Sequence, residues 1–218
     1  LAMVGSMSRA LNPVLTGLPT TIFTHMSVLA AAHDAVNLGQ GFPDYAIDPR
    51  LAQLVTQAMS EGYNQYALME GVPGLREQIS VKISVTHGIA FHPDTEITIT
   101  LGATEALFCA IQAIVGPGDE AIVFDPAYDS YDPAIRLVGG RCIHIPLQPP
   151  AFRYDWDRVA AAITDRTRLI IINTPHNPAC SVATSDDLDR LAALVREREI
   201  TVVSDEVYEH VTYDGIVH

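Results

Sequence analysis

The sequence is poor in positive charge. It has 13 lysine and arginine residues against 26 aspartate and glutamate residues, which gives a formal net charge of -13 and a pI near 4.8. Lys82 is the only lysine. Nucleic acids and anionic membranes are bound by clustered lysine and arginine. The charge balance therefore argues against either partner.

Cysteines and long apolar runs are also scarce. The three cysteines, Cys109, Cys142 and Cys180, are odd in number and stand far apart in apolar stretches, so we expect buried, reduced thiols. No apolar run reaches the length of a membrane span, and the N-terminus lacks the blocks of a signal peptide. These features predict a cytoplasmic location. Residues 1–8 are interpreted as a loose tail.

Several signatures of common enzyme classes are missing. Gly39 and Gly41 form a GxG without the third glycine of a dinucleotide fingerprint, and no P-loop, HExxH or GxSxG is present. His87 and His92 are five residues apart, so they do not share the helical face that a zinc hydrolase requires. Rossmann dehydrogenases and these hydrolases are therefore disfavoured, and no metal site is predicted.

An alternation of strands and helices dominates the second half of the sequence. Apolar runs predict strands at residues 97–101, 121–124, 141–147, 169–172 and 201–203. Helices are predicted between them at 104–115, 131–138, 156–163 and 188–199, and before them at 20–32, 48–61 and 75–87. Because strands that alternate with helices pair in parallel, we expect an α/β fold with a mostly parallel sheet and helices on both faces.

Polar residues follow two of the predicted strands. Asp205 and Glu206 come directly after the last strand, and Asn173, His176 and Asn177 come after the strand before it. Taken alone, Asp205 reads more simply as a turn or helix-capping acid. Since the carboxyl ends of parallel strands form the ligand-binding edge of an open sheet, two such polar ends suggest one site.

The turn LGATE, residues 101–105, joins a strand to a helix. The amides in the first turn of a helix and its dipole favour a phosphate, and the Thr104 hydroxyl would add a bond. Locally, Thr104 as an ordinary N-cap is an equally good interpretation. Together with the aromatic segment PAYDSY at 126–131 and the two strand ends, this turn suits a flat, protonated heteroaromatic ring that carries a phosphate.

Four motifs in this order resemble those of a known family: GATEA at 102–106, DPAYDSY at 125–131, NTPHNP at 173–178 and SDEVYEH at 204–210. The sequence resembles the fold type I aminotransferases of class I/II, which use pyridoxal phosphate. It is similar in particular to the methionine and kynurenine (glutamine transaminase K-like) aminotransferases, also at NLGQGFPD and NQYA. The resemblance covers nearly all of residues 19–213.

The resemblance implies how the cofactor ring is held. Asp205 would pair with the ring nitrogen and keep it protonated, which makes the ring a better electron sink. The Tyr128 ring would stack on the cofactor ring. Asn177 and Tyr208 would hydrogen-bond the phenolic oxygen from two sides.

It also implies a phosphate site and a dimer. The backbone of Gly102, Ala103 and Thr104 would bind the cofactor phosphate. Tyr66 would reach the phosphate of the neighbouring subunit, so the resemblance implies a homodimer with shared active sites.

The substrates implied are an amino acid and a 2-oxo acid. Gly41 would lie by the substrate carboxylate, and Phe23, Tyr45, Tyr128 and His176 would line an apolar or aromatic side-chain pocket. Core positions are the commoner fate of aromatic residues such as Phe23 and Tyr45, and His176 also suits a turn. We therefore expect methionine, glutamine or aromatic amino acids as donors.

The sequence departs from the family pattern at the catalytic lysine. Lys82 reads as an exposed helix residue, and the Schiff-base lysine would follow His218. The resemblance then implies an incomplete large domain that is inactive alone. Residues 1–47 would form an N-terminal arm and substrate-side segment belonging to the small domain, and residues 48–218 the large cofactor-binding domain.

Two other functions fit the same residues. A cysteine-conjugate β-lyase would use the same cofactor contacts, and its product formation would not depend on an added 2-oxo acid. A non-catalytic ligand-sensing domain, as in aminotransferase-like transcription regulators, would need a basic DNA-binding region outside this acidic sequence.

Overall fold

A computed structural model describes residues 12–16, 20–39, 41, 43, 45–216 and 218. The predicted tail at 1–8 and residues 40, 42 and 44 of the glycine-rich loop lie outside the described residues. The described residues fall into two compact units, one containing 12–16 and 101–218 and the other 20–100. The domain boundary predicted after residue 47 lies inside the second unit. The division into residues 1–47 and 48–218 by function therefore stays a prediction.

The described residues form eight helices and four strands. In chain order they are α1 (Pro13–Thr16), α2 (Ile22–Ala32), α3 (Pro49–Ser60), α4 (Pro73–His87), α5 (Gly102–Ile114), β1 (Glu120–Asp125), α6 (Tyr131–Leu137), β2 (Arg141–Pro146), α7 (Trp156–Ala162), β3 (Thr167–Asn173), α8 (Ser185–Val195) and β4 (Thr201–Asp205). Every helix in this described part is too short or too polar to cross a membrane.

The four strands form one parallel sheet in the order β2-β1-β3-β4. In this sheet Asn173, at the end of β3, is in register with Asp205, at the end of β4. The parallel α/β prediction is confirmed. The sheet also brings the two predicted polar strand ends to the same edge.

Helices cover both faces of the sheet. Successive strand residues point to opposite faces, so Val123 packs with Ile111 of α5 and Ile135 of α6, while Ile122 packs with Val159 of α7. All five of these isoleucine and valine side chains have no exposed area. Full burial of such a side chain stabilises the fold by roughly 1.5–3 kcal/mol.

The strand predicted at 97–101 is wrong, because residues 97–100 form no strand and α5 already begins at Gly102. The Ile97 side chain is buried, as its apolar pattern suggested. The amide of Ile99, however, donates to the carbonyl of Glu70 at 2.9 Å, in the turn that precedes α4. This bond joins Ile99 to a turn and not to a neighbouring strand.

Helix ends in the second unit follow their capping residues. The Asp48 carboxylate accepts a hydrogen bond from the Arg50 amide at 2.8 Å, with Pro49 opening α3. Gly88 ends α4 in the left-handed region, at φ 68°, a conformation that glycine adopts without steric cost. Both predicted boundaries are confirmed.

The buried-cysteine expectation is wrong for two of the three thiols. Cys109 and Cys180 are exposed, and Cys142 is half-buried. Cys109 lies two residues from both Leu107 and Ile111, the buried residues of α5, so its side chain points to the opposite side of that helix. All three are free thiols, as expected.

Candidate active site

A cavity of about 210 Å³ lies where β3 and β4 end and α5 begins. Six predicted cofactor-binding residues line it: Ala103, Thr104, Tyr128, Asn177, Asp205 and Tyr208. Leu107, Asn173 and Val207 complete the lining. An engineered cavity of about 150 Å³ holds a benzene ring, so this one suits a single six-membered ring with small substituents.

Asp205 presents a buried carboxylate to this cavity. Its exposed fraction is 8%. The Tyr131 hydroxyl donates to Oδ2 at 2.5 Å, and the Val207 amide donates a longer bond to Oδ1 at 3.3 Å. These bonds fix the orientation of the carboxylate, while its negative charge remains without a described cationic partner.

The sequence analysis missed Tyr131 as a site residue. Its side chain is 3% exposed, and burial, followed by the hydrogen bond to Asp205 and the charge of that carboxylate, raises the pKa of Tyr131 far above its ordinary value. The phenol therefore remains a hydrogen-bond donor throughout the neutral range. Its position within PAYDSY was the only sequence signal.

Asn173 ties the strand ends and the following loop together. Its Nδ2 donates to the Asp205 carbonyl at 2.9 Å, and its Oδ1 accepts from the Asn177 amide at 2.7 Å. The Thr174 amide donates to the same Asp205 carbonyl at 3.0 Å. The positions of Asn177 and Asp205 are therefore coupled through one buried side chain.

The first turn of α5 closes the other end of the cavity. Gly102 begins the helix at φ 78°, where a side chain would be strained. Ala103 and Thr104 follow, and the Thr104 Oγ1 lies 3.3 Å from the Tyr128 hydroxyl. Because Leu101 holds the N-cap position, the interpretation of Thr104 as an N-cap is wrong. Amides in the first turn have no acceptor inside their own helix, and the helix dipole favours an anion at this end.

A second cavity, of about 450 Å³, lies beside the first and shares Asn177 and Tyr208 with it. His176 lines this second cavity. It is 5% exposed, burial lowers its pKa, and its Nδ1 accepts from the Ala179 amide at 3.3 Å. The imidazole is thus neutral and supports a turn, while its predicted contact with substrate stays a prediction.

The remaining predicted site residues belong to the second unit. Phe23 is half-buried on α2, and Tyr66 is fully exposed. A Cβ placed on Gly41 would meet nothing within 4 Å. The roles of these three residues stay predictions.

The donor set of the first cavity fits the cofactor that the resemblance implies. Asp205 offers a negative charge to a protonated ring nitrogen, and the Tyr128 ring offers an aromatic face. Asn177 and Tyr208 offer polar side chains, and the α5 first turn offers amides and the positive end of a helix dipole to a phosphate.

The comparisons with known proteins agree with this chemistry. Residues 33–217 match the family model for aminotransferase class I and II. The chain is 50% identical over 204 residues to methionine aminotransferase of Escherichia coli, covering 94% of this chain and 53% of that protein. It is 34% identical to kynurenine-oxoglutarate transaminase 1 of Rattus norvegicus, with 94% and 51% covered.

Solved structures show the same fold. The structure of YbdL from Escherichia coli, identified as having a methionine aminotransferase function, superimposes with a TM-score of 0.89 over 93% of this chain and 53% of that one, at 50% identity. N-succinyldiaminopimelate aminotransferase of Mycobacterium tuberculosis gives 0.91 over 96% and 55%, at 39% identity. The chain spans about half the length of the curated relatives it matches.

Proposed function

The chain belongs to the class I and II aminotransferases, a family that depends on pyridoxal phosphate, and from this premise we propose that its protein transfers an amino group from an amino acid to a 2-oxo acid. The observation that carries the proposal is the shared cavity of Asp205, Asn177 and Tyr128. A negative charge, an amide and an aromatic face there match the needs of a protonated pyridine ring.

Asp205 has the central role in this proposal. When bound, pyridoxal phosphate supplies an electron-withdrawing ring that stabilises the charge left on a substrate carbon after its proton is removed. The Asp205 carboxylate would keep the ring nitrogen protonated, because an adjacent negative charge favours the protonated form. The Tyr131 hydroxyl would hold that carboxylate in place through Oδ2.

The other lining residues would orient the cofactor. The Tyr128 ring would cover one face, and the Asn177 and Tyr208 side chains would hydrogen-bond the phenolic oxygen. The first-turn backbone at Gly102, Ala103 and Thr104 would bind the phosphate, because a helix N-terminus favours anions.

A cofactor titration tests the site. We expect purified chain to bind pyridoxal phosphate with an induced circular dichroism band in the cofactor's absorption range. Asp205→Asn, which removes the charge but keeps the shape, should weaken binding roughly 10- to 100-fold, the value of a hydrogen bond to a charged group. Asp186→Asn, whose carboxylate is largely exposed on α8, is the matched control. Equal affinity of the two variants would reject the assigned role of Asp205.

We propose methionine, glutamine or aromatic amino acids as donors. The 50% identity to methionine aminotransferase and the 34% identity to a kynurenine transaminase support this choice. The test is a donor panel with a full-length protein that carries this chain, assayed with and without an added 2-oxo acid. Preference for aspartate or branched-chain donors would reject the substrate class, and product formed without the 2-oxo acid would indicate β-elimination instead.

We also propose a homodimer with shared sites. Tyr66 is fully exposed and Met69 is 94% exposed, which suits residues that act on a partner's surface. Mixing full-length Tyr66→Phe protein with Asp205→Asn protein tests it. If Tyr66 serves the neighbouring subunit, the mixture regains one intact site per hybrid dimer, and activity exceeds that of either variant. The cytoplasmic location stays a prediction.

A further inference from the structure

A second cluster of chemically active side chains lies between α6 and β2. Asp132, Cys142 and His144 each offer one ligand atom, and these atoms lie within 4.8 Å of one another. None of the three is among the residues that line the two cavities. The sequence analysis predicted no metal site. Asp132 and Cys142 stand ten positions apart and form no compact ligand motif.

The fold places these side chains on one face. Cys142 packs against the cluster that contains Ile135 of α6, while Ile143 packs against the opposite face. His144, two residues after Cys142, therefore shares the Cys142 face. The side chains of His144 and Asp132 are 42% and 32% exposed, so ions reach this cluster from solvent.

The His144 ring is held in a way that is typical of metal-binding histidines. Its Nδ1 lies 2.9 Å from Oδ1 of Asp125, and its Nε2 lies 3.7 Å from Oδ1 of Asp132. A carboxylate on one ring nitrogen fixes the tautomer and leaves the other nitrogen as a lone-pair donor. Asp125 thus directs Nε2 of His144 toward Asp132.

The charges of the cluster favour a cation. Asp125 and Asp132 contribute two carboxylates, and the guanidinium of Arg136 lies 3.4 Å from Oδ2 of Asp132. That contact leaves Oδ1 of Asp132 directed at His144. A thiolate at Cys142 would add a further negative charge, which a divalent ion offsets.

We propose that Asp132, Cys142 and His144 bind one Zn²⁺ ion, with water as a fourth ligand and Asp125 orienting the histidine. Sulfur and imidazole ligands select zinc over Mg²⁺ and Ca²⁺, which prefer oxygen. Binding deprotonates the Cys142 thiol and releases that proton to solvent.

Zinc binding requires the three ligand atoms to move only slightly closer together. Zinc-ligand distances of about 2.0–2.3 Å give about 3.5 Å between neighbouring ligand atoms of a tetrahedron. The histidine and aspartate atoms, at 3.7 Å, already approach that spacing. The other separations lie within 4.8 Å and have to close by at most about 1.3 Å, which side-chain rotation at partly exposed residues provides.

Metal titration of the untagged, chelator-treated chain tests the proposal. We expect one Zn²⁺ per chain by elemental analysis after dialysis, and Co²⁺ should give a thiolate-to-metal charge-transfer band in the near ultraviolet. Cys142→Ser should abolish the band, and His144→Asn should weaken Zn²⁺ binding at least tenfold. Asp125→Asn should keep the band and weaken binding about 10- to 100-fold, the usual effect of losing an outer partner.

The matched controls are Cys109→Ser and Cys180→Ser, which remove exposed thiols outside the cluster and should leave stoichiometry and band unchanged. Far-ultraviolet circular dichroism checks that each variant is folded. Less than one Zn²⁺ per chain, a band that survives Cys142→Ser, or unchanged affinity in His144→Asn would each overturn the proposal.

Discussion

The buried phenol of Tyr131 and the carboxylate of Asp205 form a short hydrogen bond at the floor of the cavity. A phenol donates this bond without adding charge, so the carboxylate keeps its full negative charge for a ligand. An arginine in that place would neutralise it. The Tyr131 hydroxyl therefore fixes the orientation of the Asp205 carboxylate and leaves its negative charge in place.

Replacing Tyr131 by phenylalanine removes this bond. We expect Tyr131→Phe to lower the free energy of unfolding by about 1.5–3 kcal/mol, because a buried carboxylate loses a donor. Tyr154→Phe is the control, since the Tyr154 hydroxyl donates a longer bond, 3.3 Å, to the neutral Asn173 carbonyl, and about 0.5–1.5 kcal/mol is expected. Urea unfolding at pH 7 measures both. An equal or larger loss for Tyr154→Phe would contradict the ranking.

The three thiols should differ in reactivity. Burial, followed by the charges of Asp132 and Asp125, raises the pKa of Cys142 to about 12, so very little reactive thiolate exists at pH 8. With a chelator present, iodoacetamide should modify exposed Cys109 and Cys180 well before Cys142. Peptide mass spectrometry over time checks the order, and simultaneous labelling of all three would refute it.

For single residues, the sequence predicts which side chains belong to the site better than it predicts which side chains they contact. Asp205, Asn177 and Tyr128 were recognisable because they follow apolar strands within compact motifs. Tyr131, the hydrogen-bond partner of Asp205, was not recognisable, because it lies 74 positions away in the sequence. Neither was the apolar lining at Leu107 and Val207, since such residues look like ordinary core.

At the scale of secondary-structure elements, the buried carboxylate of Glu120 anchors the first residue of strand β1. Glu120 is 2% exposed. Its Oε2 accepts from the Thr164 hydroxyl at 2.6 Å, and its Oε1 accepts from Arg166 at 2.9 Å, with Arg141 of β2 at 3.4 Å. One side chain thereby connects β1 to β2 and to the turn before β3. These contacts, with Thr164 the largest, lower the pKa of Glu120 despite its burial.

This lowered pKa predicts a pH-dependent stability. A carboxyl with a depressed folded-state pKa contributes stability that is present above its ordinary value, about 4.3–4.5, and is lost as pH falls through the folded value. Glu120→Gln should therefore cost about 1–2 kcal/mol at pH 7, mainly through the Thr164 bond, and progressively less below pH 4.5. Urea unfolding of both proteins from pH 7 to pH 3 measures this, and a constant difference would contradict it.

The start of α8 depends on a reciprocal cap. The Thr184 Oγ1 accepts from the Asp187 amide at 3.2 Å, and the Asp187 carboxylate accepts from the Thr184 amide at 2.8 Å. Thr184→Ala should reduce the free energy of unfolding by about 1 kcal/mol. Thr56→Ala, on the exposed side of α3, should change it by less than about 0.5 kcal/mol. Thermal or urea unfolding compares them, and equal effects would argue against the cap.

Periodicity predicted most elements but not every boundary. Four of the five predicted strands are observed, because each of these apolar runs forms hydrogen bonds with a neighbouring strand. Residues 97–101 have the same pattern and form no strand, since pairing is a property of neighbours in space. The predicted helix at 188–199 begins earlier, at Ser185, and ends at Val195, because the cap at Thr184 determines its start and not the first apolar residue.

For the whole molecule, net charge is the dominant property. At pH 7 the formal charge of -13 opposes nonspecific aggregation through repulsion between molecules, and this repulsion vanishes near the pI of about 4.8. We expect a solubility minimum within about one pH unit of that value. Turbidity between pH 4 and pH 8 measures it, with circular dichroism separating precipitation from unfolding. Uniform solubility across the range would contradict the expectation.

The in-register pairing of Asn173 with Asp205 makes the reactive edge a property of the backbone ladder. The turn at 196–200, which connects α8 to β4, can therefore lengthen or shorten without disturbing the distance between these two side chains. A single residue inserted within β4 would instead rotate Asp205 to the other side of the sheet, since side chains alternate along a strand. The site thus tolerates length changes in the turn before β4 but not a one-residue slip within β4.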